Sequence, residues 1–163
     1  MAVITIGAEI ADGGQQFGND YTILNYNHPA NGTGKITAVS IKYGTDATGV
    51  KVIIFEEVGA NTFTARSSAA LGDLAAGEHA DIAVDLDVVA GDFIAFYQVT
   101  GNPRFIDNGH DGIYRKAGDQ SAGVGVDFGA FLDDDGEMWA LGEGETVAVG
   151  GAPSGSVGGL LIL

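Results

Sequence analysis

The acidic run Asp133-Asp134-Asp135-Gly136-Glu137 is the first place in this sequence where residue type and spacing could do chemistry. Several carboxylate oxygens beside a turn glycine are what a calcium ion requires, which makes Asp133, Asp135 and Glu137 candidate ligands. Asp107-Asn108-Gly109-His110-Asp111-Gly112 offers a sparser set of the same kind. Neither segment is an EF-hand. With Gly136 as the sixth loop residue, Phe131 takes the first ligand position and Gly142 the twelfth; with Gly112 in that role, Asp107 fits the first position but Gly118 falls at the twelfth. The competing reading of both segments is a charged turn.

Aromatic rings are the second source of possible chemistry. Trp139, the sole tryptophan, and Tyr114 could form a sugar-stacking surface, whereas Tyr43 and Tyr97 read as core. The 22 Asp and Glu residues leave room for a pair flanking a glycosidic bond, but a catalytic pair is defined by its separation in space. Motif-bearing catalysis is absent from the sequence. Neither Gly-x-Ser-x-Gly nor His-Glu-x-x-His occurs, and no glycine-rich phosphate loop follows a strand. His28, His79 and His110 lie far apart in turn-like settings and read as solvated loop residues.

A formal net charge of -15 disfavours nucleic acid and anionic membrane surfaces as partners. It suits high solubility and would attract cations or a basic partner. With no cysteine, disulfides, thiolate metal sites and cysteine nucleophiles are excluded together. The start, Met1 to Glu9, has no basic region and does not read as a signal peptide, so synthesis and assembly in the cytoplasm are expected. No apolar stretch approaches the ~20 residues of a membrane span.

Strands must position these residues. Ile82, Val84 and Leu86 alternate with Asp81, Asp85 and Asp87, and Ile4, Ile6 and Ile10 share one parity, the two-residue period of half-buried strands. Val39, Ile41 and Tyr43 repeat it, as do Val124, Val126 and Phe128. Val50 to Phe55 and Phe93 to Tyr97 are nearly continuous apolar runs, which predicts central strands. Shorter candidates are Tyr21 to Tyr26, Thr62 to Arg66, Ile113 to Arg115, Met138 to Leu141 and Thr146 to Val149. The one helical candidate is Arg66 to Ala76, about two turns at best, with a loop as the alternative. Residues 1–149 therefore read as one all-β domain, an antiparallel jelly-roll sandwich.

From Gly150 the composition changes to a Gly-rich linker that leads into Leu160, Leu161, Ile162 and Leu163. These four apolar residues need burial. They make either a last strand of their own sheet or an assembly arm that adds a strand to a neighbouring copy.

Ile36 to Ile41, Val50 to Phe55, Asn61 to Ser67, Leu86 to Tyr97 with its Ala90-Gly91-Asp92-Phe93-Ile94 turn-to-strand element, and Gly112-Ile113-Tyr114 together resemble jelly-roll domains of bacteriophage and prophage virion proteins. The resemblance spans about Lys35 to Gly144. It implies a non-enzymatic particle component at the virion surface: a capsid decoration, tail or fibre-associated protein. Such a protein would contact its own copies and other virion proteins and could attach to a host-surface glycan. The alternatives are a carbohydrate-binding module using Trp139 or Tyr114 with calcium, and, behind it, a glycoside hydrolase. No cofactor is expected beyond that calcium.

Overall fold

The computed structural model describes residues 2–9, 15–16, 18–107, 109–132 and 136–147. Among them there is no helix, and the strands are β1 (Val3–Gly7), β2 (Gln15–Gln16), β3 (Tyr21–Asn25), β4 (Gly34–Tyr43), β5 (Ala47–Gly59), β6 (Thr62–Leu74), β7 (Gly77–Val88), β8 (Phe93–Gln98), β9 (Arg104–Asp107), β10 (Ile113–Ala117), β11 (Val126–Asp127), β12 (Gly136–Met138) and β13 (Ala140–Thr146). All pairings between them are antiparallel. The protein is an all-β sandwich.

A four-stranded sheet runs β1-β13-β4-β7, a six-stranded sheet runs β10-β3-β8-β5-β6-β11, and a small third sheet runs β12-β9-β2. Except at the β5–β6 hairpin, successive long strands cross between the two larger sheets. Thus β3 is in the six-stranded sheet, β4 in the four-stranded, β5 and β6 in the six-stranded, β7 in the four-stranded and β8 in the six-stranded.

The apolar runs of β5 and β8 are neighbours in the middle of the six-stranded sheet, and both of its faces are covered. On the inner face Val52, Ile54, Ile94 and Phe96 join Ile4, Ile6, Ile36, Val39 and Ile41 of the opposite sheet in one core. On the outer face Leu24, Ile53, Phe55, Ala95, Tyr97 and Tyr114 pack under Phe128, with Phe131 against them. With both parities buried, no polar alternation can appear in these strands. Phe63 anchors the second core, with its ring centroid 5.2 Å from that of Tyr114 and 5.4 Å from that of Phe128, edge to face.

In β7 the expected alternation holds: Ile82 and Val84 are half-buried and Leu86 is buried, while Asp81, Asp85 and Asp87 face water. Two bulges interrupt its pairing with β4. At one of them Asp81 takes a left-handed φ of 55° and its amide donates to Ser40 Oγ at 3.1 Å. The segment Arg66 to Ala76 is not a helix. Its residues as far as Leu74 belong to β6 and pair with β5, and Ala69 and Leu71 are turned toward the core while Ser68, Ala70 and Gly72 are exposed. Pairing along β5 outweighs the helical preference of Ala and Leu, which is worth only tenths of a kcal/mol per residue. Val124 also departs from expectation. It is 82% exposed, and only Val126–Asp127 of that stretch pair as a strand. At the other end of the domain β13 stops at Thr146 and Val147 is exposed.

Candidate functional site

Asn25 and Asn27 are buried at the end of β3, where strand propensity alone would not place them. Their side chains bind two separate pieces of chain, residues 111–112 and 136–138. Asn27 Nδ2 donates to the carbonyls of Gly112 at 3.0 Å and Gly136 at 2.9 Å and to Asn25 Oδ1 at 2.7 Å, while Asn27 Oδ1 accepts from the Asp111 amide at 2.6 Å. Asn25 Nδ2 donates to the Met138 carbonyl at 3.0 Å. With these partners satisfied, the network can be buried at little cost and fixes the geometry around it.

The asparagines' own segment and these two pieces each bring one ionisable side chain to a common point. His28 follows Asn27, His110 precedes Asp111, and Glu137 lies between Gly136 and Met138. His28 Nε2 lies 3.0 Å and His110 Nδ1 3.4 Å from the same oxygen, Glu137 Oε2. Glu137 is 9% exposed, and Oε2 is shut off from solvent yet accepts no hydrogen bond of acceptable geometry. His28 itself sits at a left-handed φ of 48°, held by the hydrogen bond from the Gly7 amide to its carbonyl at 2.9 Å. An open depression of about 430 Å³ lies beside the group, lined by His28 and Glu137 together with Thr5, Glu9, Leu141 and Glu143. The group is a sequestered carboxylate facing two imidazoles, and among the described residues no three such side chains are placed to hold a metal ion.

Of the residues singled out from sequence, Glu137 alone is in this group. Its carboxylate is turned inward toward two histidines, and Asp133 and Asp135 lie outside the described residues. Trp139 is 2% exposed and Tyr114 is 3% exposed, so neither ring offers a face for sugar stacking. Tyr114 stacks on Phe131 at 4.2 Å and donates its hydroxyl to Asn61 Oδ1 at 2.7 Å. Trp139 packs beneath Lys42, with Nζ 5.6 Å from the ring centroid. Burial satisfies both rings through the core they help to build. Tyr43 and Tyr97 are core residues, as expected. Reading His28 and His110 as separate solvated loop residues missed their meeting; the only trace in sequence is a pair of asparagines, Asn25 and Asn27, beside an apolar strand.

A second feature is an edge. β7 ends the four-stranded sheet, and among the described residues no strand pairs with its outer side over its 12 residues. Next to it, Ala69, Leu71 and Leu74 of β6 and Ile82 and Val84 of β7 are only partly buried against the inner core. Glu78, Asp81, Asp85 and Asp87 make this edge acidic, relieved by Lys35, which lies 3.2 Å from Asp85 and 2.8 Å from Asp87. Leu160, Leu161, Ile162 and Leu163 lie outside the described residues.

No protein-family model matches the chain, and no curated protein is significantly similar to it.

Proposed function

We propose that this chain is a non-enzymatic structural protein of a virion, a capsid decoration or a tail- or fibre-associated component. In this reading it assembles by docking the 148–163 segment of one copy against the β7 edge of another. The observation that carries the proposal is that unpaired 12-residue edge beside a partly covered apolar margin. Open edges are templates for strand addition, and this one, though bulged and acidic, has no strand paired on its outer side among the described residues.

Charge selects the occupant. Two β7 edges brought together would oppose their acidic residues, which disfavours symmetric edge pairing. Residues 148–163 contain no charged side chain and end in four apolar ones, so they can add to the edge without that repulsion. At ~3.3 Å per extended residue, sixteen residues reach up to about 50 Å from Val147, enough to leave the parent domain. The strand order adds support for the fold type: β1-β13-β4-β7 against β3-β8-β5-β6, with the chain crossing between sheets, is the order of two interleaved Greek keys, and we read it as a jelly roll. The resemblance over Lys35 to Gly144 supplies the virion setting and the expectation of other virion proteins as partners.

The test compares the full chain with one ending at Gly151 by multi-angle light scattering. The expected result is a concentration-dependent oligomer for the full chain and a monomer for the shortened one, with equal circular dichroism. A monomeric full chain would mean that the segment docks in cis or not at all, and would overturn the assembly reading.

A further inference from the structure

We infer that Arg115 on β10 of one copy pairs with the acidic row on β7 of the next, so that copies of this chain join head to tail. The inference rests on the assembly reading for the neighbour being a second copy, and it is independent of how residues 148–163 dock.

Cations are scarce in this chain, seven Lys and Arg against 22 Asp and Glu, so a basic side chain has carboxylates to spare around it. Lys35 pairs with Asp85 and Asp87, Lys51 with Asp119, and Arg66 with Asp92 and Glu56. Arg115 is exposed and makes no ion pair with another described residue. Its guanidinium lies over the Tyr21 ring instead, with Cζ 4.3 Å from the centroid, and Tyr21 is itself set against the inner core. Stacking on a ring holds a guanidinium by its face and leaves its N–H edges for a carboxylate. Arg115 is thus an oriented cation that lacks an anion within the described part of its own chain.

The matching anions are on β7. Glu78 and Asp81 are exposed and make no ion pair among the described residues, and a bulge re-aims the chain at Asp81. β7 shares a margin with β6, where Ala69, Leu71, Ile82 and Val84 meet the inner core. β10 begins the six-stranded sheet at its other side, four strand spacings from β6, about 19 Å at ~4.8 Å each. One chain therefore cannot close this pair on itself. Like charges disfavour β7 against β7, whereas β10 against β7 is complementary. Because the two charged sites stand on opposite margins, two joined copies still present one of each, and a third can add there. Such a heterologous contact closes into a ring or continues as a filament.

The experiment measures self-association of the full chain by sedimentation equilibrium from ~0.05 M to ~0.5 M sodium chloride. Association is expected to weaken as salt rises. At low salt it should fall about 10-fold in Arg115→Glu, whose melting temperature stays within a few degrees of the unaltered chain's. Adding Glu78→Arg to Arg115→Glu should restore it, and adding Glu143→Arg, which returns the same net charge on β13, should not. Unchanged association in Arg115→Glu, no rescue by Glu78→Arg, equal rescue by Glu143→Arg, or indifference to salt would each overturn the inference while the assembly reading stands on the chain ending at Gly151. A chain ending at Gly151 that still associates through Arg115 would remove the arm and keep this contact. A full chain that is monomeric at every salt concentration would overturn both.

Discussion

Arg66 holds Asp92 in a two-pronged ion pair, Nε to Oδ2 at 2.5 Å and Nη2 to Oδ1 at 3.1 Å, joining β6 to the turn that leads from β7 into β8. Asp92 is 3% exposed, and Oδ2 also accepts the Val89 amide at 2.8 Å. The aspartate of the Ala-Gly-Asp-Phe-Ile element is thus a structural anchor between the two sheets. Without Asp92, Arg66 keeps Glu56 Oε1 at 3.3 Å, but the Val89 amide loses its acceptor. Asp92→Ala should lower unfolding free energy by about 2–3 kcal/mol in urea titration, whereas exchanging both residues for apolar ones should cost less. A loss under about 1 kcal/mol for the single change would place the anchor elsewhere.

Asn27→Ala removes four hydrogen bonds and leaves several buried partners unsatisfied. At about 1–3 kcal/mol for each such group, a loss of ~3 kcal/mol or more is expected by thermal or urea unfolding. Nuclear magnetic resonance of the imidazoles should show His28 and His110 shifting together, because the same amide positions both. Movement of only one would mean that the tethers act separately.

Alkaline pH should destabilise the protein through Tyr26, Tyr43, Tyr97 and Tyr114, whose phenols the fold pushes upward. Burial and the hydrogen bond to Glu57 push Tyr26 from 10.0 up to about 12, and the hydrogen bond to Asp20 with burial pushes Tyr97 to about 12. A folded-state value above the unfolded one means that the fold favours the protonated phenol. That stabilisation is complete below pH 10 and is lost as pH rises from 10 to 12. Tyr26→Phe and Tyr97→Phe should flatten the decline of melting temperature across this window. A decline of unchanged slope in the double variant would assign it to other groups.

Gly142 lies where β13 passes under the inner core. A Cβ there would stand 2.7 Å from Ile6 Cγ2 and 3.2 Å from Ile36 Cγ2. Gly142→Val should cost about 1–3 kcal/mol through overpacking, and a paired Ile6→Ala should return part of that loss. No recovery would show that backbone strain is responsible.

Strand content and the inward set of β7 were legible because one face of that strand meets water, and Ile82, Val84 and Leu86 stand out against aspartates. In β5 and β8 the pattern gave centrality but not its cause, a second core built by Phe128 and Phe131 from a segment distant in sequence. Arg66 to Ala76 misled because Ala and Leu carry a helical preference that pairing with β5 overrides. Trp139 and Tyr114 could be either platform or core by type alone, and only packing decides between those. The His28, His110 and Glu137 group was illegible for a geometric reason. Its members come from two bends and the short strand β12, joined by side-chain hydrogen bonds to backbone groups, which have no periodicity to read.

Hydrogen exchange on the outward amides of β7 tests the assembly proposal most directly, because strand addition must hydrogen-bond them. The prediction is slow exchange along Gly77–Val88 in concentrated full-length protein, becoming fast on dilution and in the chain ending at Gly151. Fast exchange of those amides in every sample, or equal protection with and without residues 152–163, would contradict it.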